Sequence, residues 1–359
     1  MSADATFELT ALGWDTSFAR AFEPYEADGL LPARVCAEHR GAWRVLAARG
    51  ELPAALGGRL RHASTSRADL PVVGDWVAVR AGDDGAAAID AVLPRRSAFV
   101  RKVAGAVTDA QVVAANIDVV FLVTGLDGDY NLRRVERAVT LAWESGAQPV
   151  VVLNKADLCD DVEARLAEVS AAAPGVPVHA TSTVRAGGVD VFAGYLAPGR
   201  TAALLGSSGV GKSTIINRLV GREVLRTAAV RDDDDRGRHT TTHRQLIVLP
   251  GGGMIVDTPG MRELQLWGDG DGVGQVFADI EVLAASCRYR DCAHEAEPGC
   301  AVRAAVDAGA LAPGRLASFH KLQRELRHLE FRVDGRAALE EKRRWKSIHK
   351  LAKQFKPRA

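Results

Sequence analysis

Two hydrophobic periodicities divide this sequence. Between residues 33 and 103, short strand-like runs at 33–36, 43–47, 75–79 and 88–92 are separated by Gly and Pro. That spacing predicts about five strands in a small β-barrel, best matched by an OB-fold. From residue 116 the pattern changes to continuous apolar runs at 117–124, 148–153, 176–181, 201–205, 245–249 and 254–256. Such runs suit strands covered on both faces, as in a parallel sheet. Between them, 131–145 carries Leu132, Val135, Val139 and Ala142 on one side at helical spacing, and 160–173, 184–196 and 215–220 are also expected to be helical. The alternation implies a doubly wound α/β domain with its ligand at the carboxyl ends of the strands. A Gly-rich connector at 267–273 precedes a helix at 276–285 and a long polar helical region. The expected division is an N-terminal extension with a flexible end (1–32), an OB-fold barrel (33–105), the α/β domain (106–274) and a mostly helical C-terminal domain with a basic tail (275–359).

Composition narrows the class. Of 359 residues, 47% are apolar and 25% charged, which excludes a wholly disordered chain and suits more than one domain. No apolar run nears the ~18 residues a membrane span needs, and the acidic N-terminus shows no secretory pattern, so a cytoplasmic protein is expected. Net charge is only +1, yet residues 313–359 hold 14 Lys and Arg against 5 Asp and Glu, a local +9 on an otherwise acidic chain. A segment of that kind suits a polyanionic partner.

The strongest chemical signal is Gly206-Ser207-Ser208-Gly209-Val210-Gly211-Lys212-Ser213-Thr214, between an apolar strand and a helix. It matches G-x-x-x-x-G-K-[ST], in which glycines turn backbone N–H groups toward phosphate and the helix N-terminus adds its dipole. Lys212 would reach the β- and γ-phosphates and the Ser213 hydroxyl would bind Mg²⁺. Asn154-Lys155-Ala156-Asp157, at the end of the run 148–153, names the base. An ionised Asp157 can accept from guanine N1–H and its exocyclic amine, whereas adenine N1 would face it with a lone pair. Asn154 would hold the loop and purine N7, and the Lys155 stem would cover the ring. Alone, those four letters also fit a helix N-cap. Ala180-Thr181-Ser182-Thr183, at the end of the run 176–181, would form a second base-side loop that contacts guanine O6 through its backbone.

Asp257-Thr258-Pro259-Gly260 follows the last apolar run and fits a Mg²⁺-side aspartate with a γ-phosphate-sensing glycine. Upstream, 237–242 offers three threonines for the Mg²⁺ shell. Thr241 is the first choice, with Thr240 and Thr242 close behind. Asn154 precedes Gly206 by 52 residues, the reverse of the usual order, so the reading is a circularly permuted GTPase domain. Finally, Cys287, Cys292, His294 and Cys300 present three thiols and an imidazole within fourteen residues, a donor set for tetrahedral Zn²⁺. Cys36 and Cys159 have no comparable partners.

Taken together, the barrel, the permuted motifs and the Cys/His cluster resemble the ribosome small subunit-dependent GTPase A family of bacteria. The resemblance implies an OB-fold, a permuted GTPase domain, a zinc-binding domain and a late role in assembling the 30S subunit, with GTP hydrolysis to GDP and phosphate stimulated by that subunit. It also implies contact with 16S rRNA, here expected from the barrel and the tail, including Lys342-Arg-Arg-Trp-Lys346. A monomer without membrane attachment is expected. Met261 stands where Ras-like enzymes carry a water-orienting Gln. His239 is the candidate to supply that function, as the resemblance also suggests, alongside Lys212 and Thr241 as catalytic residues. The acidic run 232–235 departs from the family pattern. Two competing classes are an ATP-using P-loop kinase or ATPase, opposed by Asn154–Asp157, and a zinc-dependent RNA-binding module with a vestigial nucleotide site, opposed by intact Lys212, Ser213 and Asp257.

Overall fold

In the computed structural model, which describes residues 7–39, 41–82, 85–102, 110–128, 130–225, 244–257 and 271–333, the first helix is one the sequence pattern did not predict. Helix α1 (Thr16–Glu26) begins at Asp15, whose side chain accepts from the Ser17 and Phe18 N–H groups. Phe18 and Phe22 on its inner face join Trp14 against Trp76, with the Trp14 and Trp76 rings 4.7 Å apart. The described part of the expected extension is therefore packed. Its apolar spacing acquires meaning only from an indole sixty residues away.

Five strands then close a barrel: β1 (Leu31–His39), β2 (Ala42–Ala47), β3 (Gly50–Leu56), β4 (Trp76–Ala81) and β5 (Ala87–Val92). They pair β1-β2-β3-β5-β4 and return to β1, with only β3 and β5 parallel. Val35, Trp43, Val45, Val77, Val79 and Ile89 point inward as its core. β3 was not among the runs singled out, because Pro53 and small alanines weaken its alternation. Short helix α2 (Gly58–Ala63) follows it, and β6 (Ala98–Lys102) pairs with β7 (Ala110–Ala115) in a separate two-stranded sheet.

Next comes the alternating region: β8 (Val119–Gly125), α3 (Leu132–Glu144), β9 (Gln148–Asn154), α4 (Val162–Ala172), β10 (Val178–Ala180), α5 (Asp190–Ala193), β11 (Thr201–Leu205), α6 (Lys212–Val220), β12 (Arg244–Val248) and β13 (Met254–Asp257). The strands run β10-β9-β8-β11-β13-β12, parallel until the antiparallel pair β13–β12. β8 and β11 are buried throughout, as continuous apolar runs require. Phe121, Val123, Leu204, Ile215 and Phe192 pack on one face of this sheet, the Phe121 and Phe192 rings meeting edge-on at 4.7 Å. The helix expected at 184–196 is reduced to the single turn α5. Gly187 sits at φ +72°, and a Cβ on Gly188 would lie 1.9 Å from the Ser182 carbonyl oxygen, so this stretch folds as a tight loop.

Barrel and α/β sheet are joined by one strand. A bulge between Val35 and Ala37 divides β1: residues 31–34 pair with β4, while Ala37 and Glu38 pair with Gln245 and Arg244 of β12. Arg244 also meets Glu38 at 3.0 Å. Beneath the junction lies Arg34, 2% exposed, donating to the carbonyls of Leu12, Gly74 (3.2 Å) and Asn116 (3.0 Å). Burial draws its pKa down to about 10, which leaves it a cation at neutral pH.

The second compact unit is helical in its described residues: α7 (Asp271–Val276), α8 (Ala278–Ala284), α9 (Ala301–Asp307) and α10 (Pro313–Val333). Phe277, Ile280, Val302, Phe319, Leu322 and Leu326 are buried. Leu322 and Leu326 thus seat α10 in this core. Arg315 closes the unit by donating to both Asp279 oxygens and the Val276 carbonyl (2.7 Å), with its guanidinium 4.8 Å from the Phe277 ring. Among the described residues no helix is long and apolar enough to cross a membrane.

Candidate functional site

The permuted chain returns its motifs to one edge of the sheet. β9, β8 and β11 are adjacent, and Asn154, Gly125 and Gly206 lie at or just beyond their carboxyl ends. Residues 206–211 form a loop running into α6, which starts at Lys212. Lys212 folds over that loop, its ammonium donating to the carbonyls of Gly206 (2.9 Å) and Ser207 (2.6 Å). Ser213 and Thr214 occupy the first turn of α6, and Ser208 and Gly209 are exposed at the loop tip. Arg134 of α3 reaches the same loop, 3.1 Å from Ser207 Oγ.

Asn154 ties the base loop to the phosphate loop. Its side chain is fully buried; Nδ2 donates to the Val210 carbonyl at 2.7 Å, and Oδ1 accepts from the Thr183 N–H at 3.3 Å. Gly211 makes this contact possible. It adopts φ +99°, and a Cβ there would stand 2.4 Å from Asn154 Nδ2. Lys155 takes a left-handed conformation, φ +61°, so the chain turns sharply after β9. Ala156 N–H then donates to the Thr181 carbonyl at 3.0 Å, and Thr181 N–H to that of Leu153 at 2.8 Å, bringing 181–183 beside 154–157. The Ser182 hydroxyl donates to Asp157 Oδ1. That bond is the main reason Asp157 lies below the usual carboxylate range, keeping it an ionised acceptor.

Asp257 ends β13, next to β11. Burial pushes its pKa up and the Lys212 charge opposes that rise, which places the two in one electrostatic environment. A half-buried carboxylate at the end of this strand offers the hard oxygen ligand that a divalent cation takes. His239, Thr240, Thr241, Thr242, Gly260 and Met261, with the acidic run 232–235 and the tail residues 342–346, lie outside the described residues. The sequence singled out neither Arg134 nor Asp127, whose carboxylate pairs with Lys155; both owe their position to the strand order.

In the second unit the Cys/His cluster is assembled. One ligand atom from each of Cys287, Cys292, His294 and Cys300 lies within 4.8 Å of every other. Cys287 Sγ and Cys300 Sγ are 3.9 Å apart, and His294 Nδ1 lies 3.6 and 3.4 Å from them. Bond lengths around zinc give tetrahedral edges of roughly 3.8 Å between sulfurs and 3.6 Å between sulfur and nitrogen, so the spacing fits that ion. Backbone N–H groups of Ala301 and Arg303 donate to Cys287 and Cys300, as thiolates prefer.

This fold and these sites define a P-loop GTPase of circularly permuted order, carried with an OB-like barrel and a Cys₃His module. Comparison with known proteins gives the family. The RsgA GTPase family model matches residues 92–267. A small ribosomal subunit biogenesis GTPase RsgA from Opitutus terrae is 52% identical over 351 residues, covering 95% of this chain and 96% of that protein. Its counterpart from Streptomyces coelicolor is 47% identical, covering 94% and 92%. Among solved structures, YjeQ from Thermotoga maritima superposes with a TM-score of 0.61 at 26% identity, covering 83% of this chain and 98% of its own. YloQ, described as a circularly permuted GTPase, gives 0.60 at 22% identity, a likeness of fold, covering 83% and 96%. The chain belongs to the RsgA GTPase family.

Proposed function

We propose that this protein hydrolyses GTP to GDP and phosphate during late maturation of the 30S ribosomal subunit, and that the subunit stimulates the reaction. The observation that carries the reading is the Asn154–Val210 hydrogen bond, which joins a guanine-specific loop to a phosphate loop as one nucleotide site. The names of its relatives support the ribosomal assignment.

In this reading Asp157 accepts from guanine, with Ser182 orienting it and Thr181 in the adjoining loop, while Asn154, Lys155 and Ala156 frame the base. The backbone from Gly206 to Gly211, with Lys212, Ser213 and Thr214, binds the phosphates. Mg²⁺ accompanies GTP and neutralises phosphate charge, with Ser213, Thr241 and Asp257 as its ligands and the Gly260 N–H toward the γ-phosphate. His239 orients the attacking water, since Met261 cannot. One structural Zn²⁺ is held by Cys287, Cys292, His294 and Cys300. We assign residues 1–30 to an extension, 31–105 to the barrel, 106–265 to the GTPase domain and 266–359 to the zinc-binding domain, since β1 pairs from Leu31 and the second compact unit takes up the chain at Leu266. The protein acts as a cytoplasmic monomer that contacts 16S rRNA through the barrel and the basic tail. GTP turnover measured alone, with 30S and with 50S subunits tests the assignment. Stimulation by 30S alone is expected, and equal rates in all three samples contradict it.

A further inference from the structure

The strand order carries a consequence for Lys155. Base-side loops follow β10 and β9, the phosphate loop follows β11, and β8 lies between them. A nucleotide that spans both must cross the carboxyl end of β8. The residue waiting there is Asp127, two beyond Gly125.

Its carboxylate Oδ2 lies 2.5 Å from the Lys155 ammonium, and both side chains are largely shielded, at 22% exposure for Lys155 and 27% for Asp127. The backbone around Asp127 is fixed. Leu126 N–H donates to the Asn154 carbonyl at 2.8 Å, and the Asp127 carbonyl accepts from Tyr130 N–H at 3.1 Å. Gly125 leaves room for the carboxylate, because a Cβ there would lie 2.7 Å from Asp127 Oδ1. The left-handed backbone at Lys155 starts its side chain in a direction most residues cannot adopt, and the ion pair draws the far end back over β8. The four-carbon stem is thereby held at both ends, by the backbone just after β9 and by the carboxylate just after β8.

We infer that Asp127 is a positioning residue for the bound guanine nucleotide: it anchors the Lys155 ammonium so that the lysine stem lies across the purine and ribose. The inference rests on the guanine-nucleotide reading of this site and deepens it. A lysine side chain loses considerable rotamer freedom when ordered, and an anchor already present in the protein reduces what the nucleotide must supply. The contact serves base and ribose, so it acts equally on GDP and GTP.

Dissociation of radiolabelled GDP and of a non-hydrolysable GTP analogue from the full chain tests this, with Asp127→Asn, Asp127→Ala, Lys155→Ala and the double alanine variant. Each single substitution is expected to speed release of both nucleotides about tenfold, while the double variant releases no faster than Lys155→Ala alone. Raised salt should speed release from the unsubstituted protein more than from Asp127→Asn. Thermal melts identify any variant that fails to fold, and Asp127→Asn preserves side-chain size. Wild-type release from Asp127→Asn, or additive effects in the double variant, overturns the inference alone. No GDP binding by the unsubstituted chain overturns the nucleotide reading and the inference together.

Discussion

Asn154 Nδ2 donates to the Val210 carbonyl at 2.7 Å across 56 residues of sequence. Through that bond the loop proposed to select guanine and the loop proposed to bind phosphate form one body, although the chain builds them in reversed order. The sheet makes this possible: β9 and β11 flank β8, so their carboxyl ends converge wherever the termini are cut.

Replacing Asn154 by Ala leaves the Val210 carbonyl and the Thr183 N–H without a partner in a buried setting. The expected cost is about 1–3 kcal/mol of stability. GDP affinity should fall together with it. Denaturant midpoints and calorimetric titration measure the two.

Arg34 holds the barrel, the N-terminal segment and the linker through the Gly74, Leu12 and Asn116 carbonyls. Arg34→Met strands the Leu12 and Asn116 carbonyls, while Gly74 keeps the Asn116 amide as a donor at 3.1 Å, and should cost about 3 kcal/mol. Arg34→Lys should recover little, because one ammonium cannot reproduce the planar fork. Urea unfolding of the three proteins checks both expectations.

The cap of α1 is sensitive to acid. Hydrogen bonding to Arg96 in the first place, with the Phe18 and Ser17 N–H groups adding to it, brings the Asp15 pKa down to about 2. A folded-state pKa below the unfolded value of about 3.9 means stabilisation that is complete above that value and lost as pH falls toward 2. Asn also caps helices, so Asp15→Asn isolates the charge contribution. At pH 7 it should cost less than about 1 kcal/mol, since the pair is half exposed. The difference between the two proteins should close between pH 4 and pH 2 in urea titrations.

The Cys₃His cluster should hold one zinc per chain, read by elemental analysis. Its unit has a small core around Phe277, Val302 and Phe319, and four ligands on one loop add the stability such a core lacks. Cys300→Ser, or a strong chelator, should remove the metal and lower helical circular dichroism. Unchanged dichroism after complete metal loss would show that the ion is not structural.

The sequence made the parallel strands legible because a strand covered on both faces needs an unbroken apolar run, as at β8 and β11. It made the phosphate loop and the Cys/His cluster legible because their chemistry requires fixed spacings. Besides β3 and Arg134, three features escaped it, each for want of a distant partner or a local constraint. Trp14, Phe18 and Phe22 declare a helix only beside Trp76. The helix expected at 184–196 is cut short by Gly187 and by the closeness of Gly188 to the Ser182 carbonyl. Asp127 gains a role only when β8 is known to lie between β9 and β11.

The most direct test exchanges the base specificity. Xanthine carries a carbonyl where guanine carries its exocyclic amine, so an amide at position 157 can donate where the carboxylate could only accept. Titrations with GDP and xanthosine diphosphate should compare the unsubstituted protein, Asp157→Asn and Lys212→Ala. The account predicts that Asp157→Asn loses GDP by about a hundredfold and gains xanthosine diphosphate, whereas Lys212→Ala weakens whichever nucleotide is offered. Unaltered GDP affinity in Asp157→Asn, alongside a Lys212 variant that fails to bind, would place base and phosphate loops at different sites and contradict it.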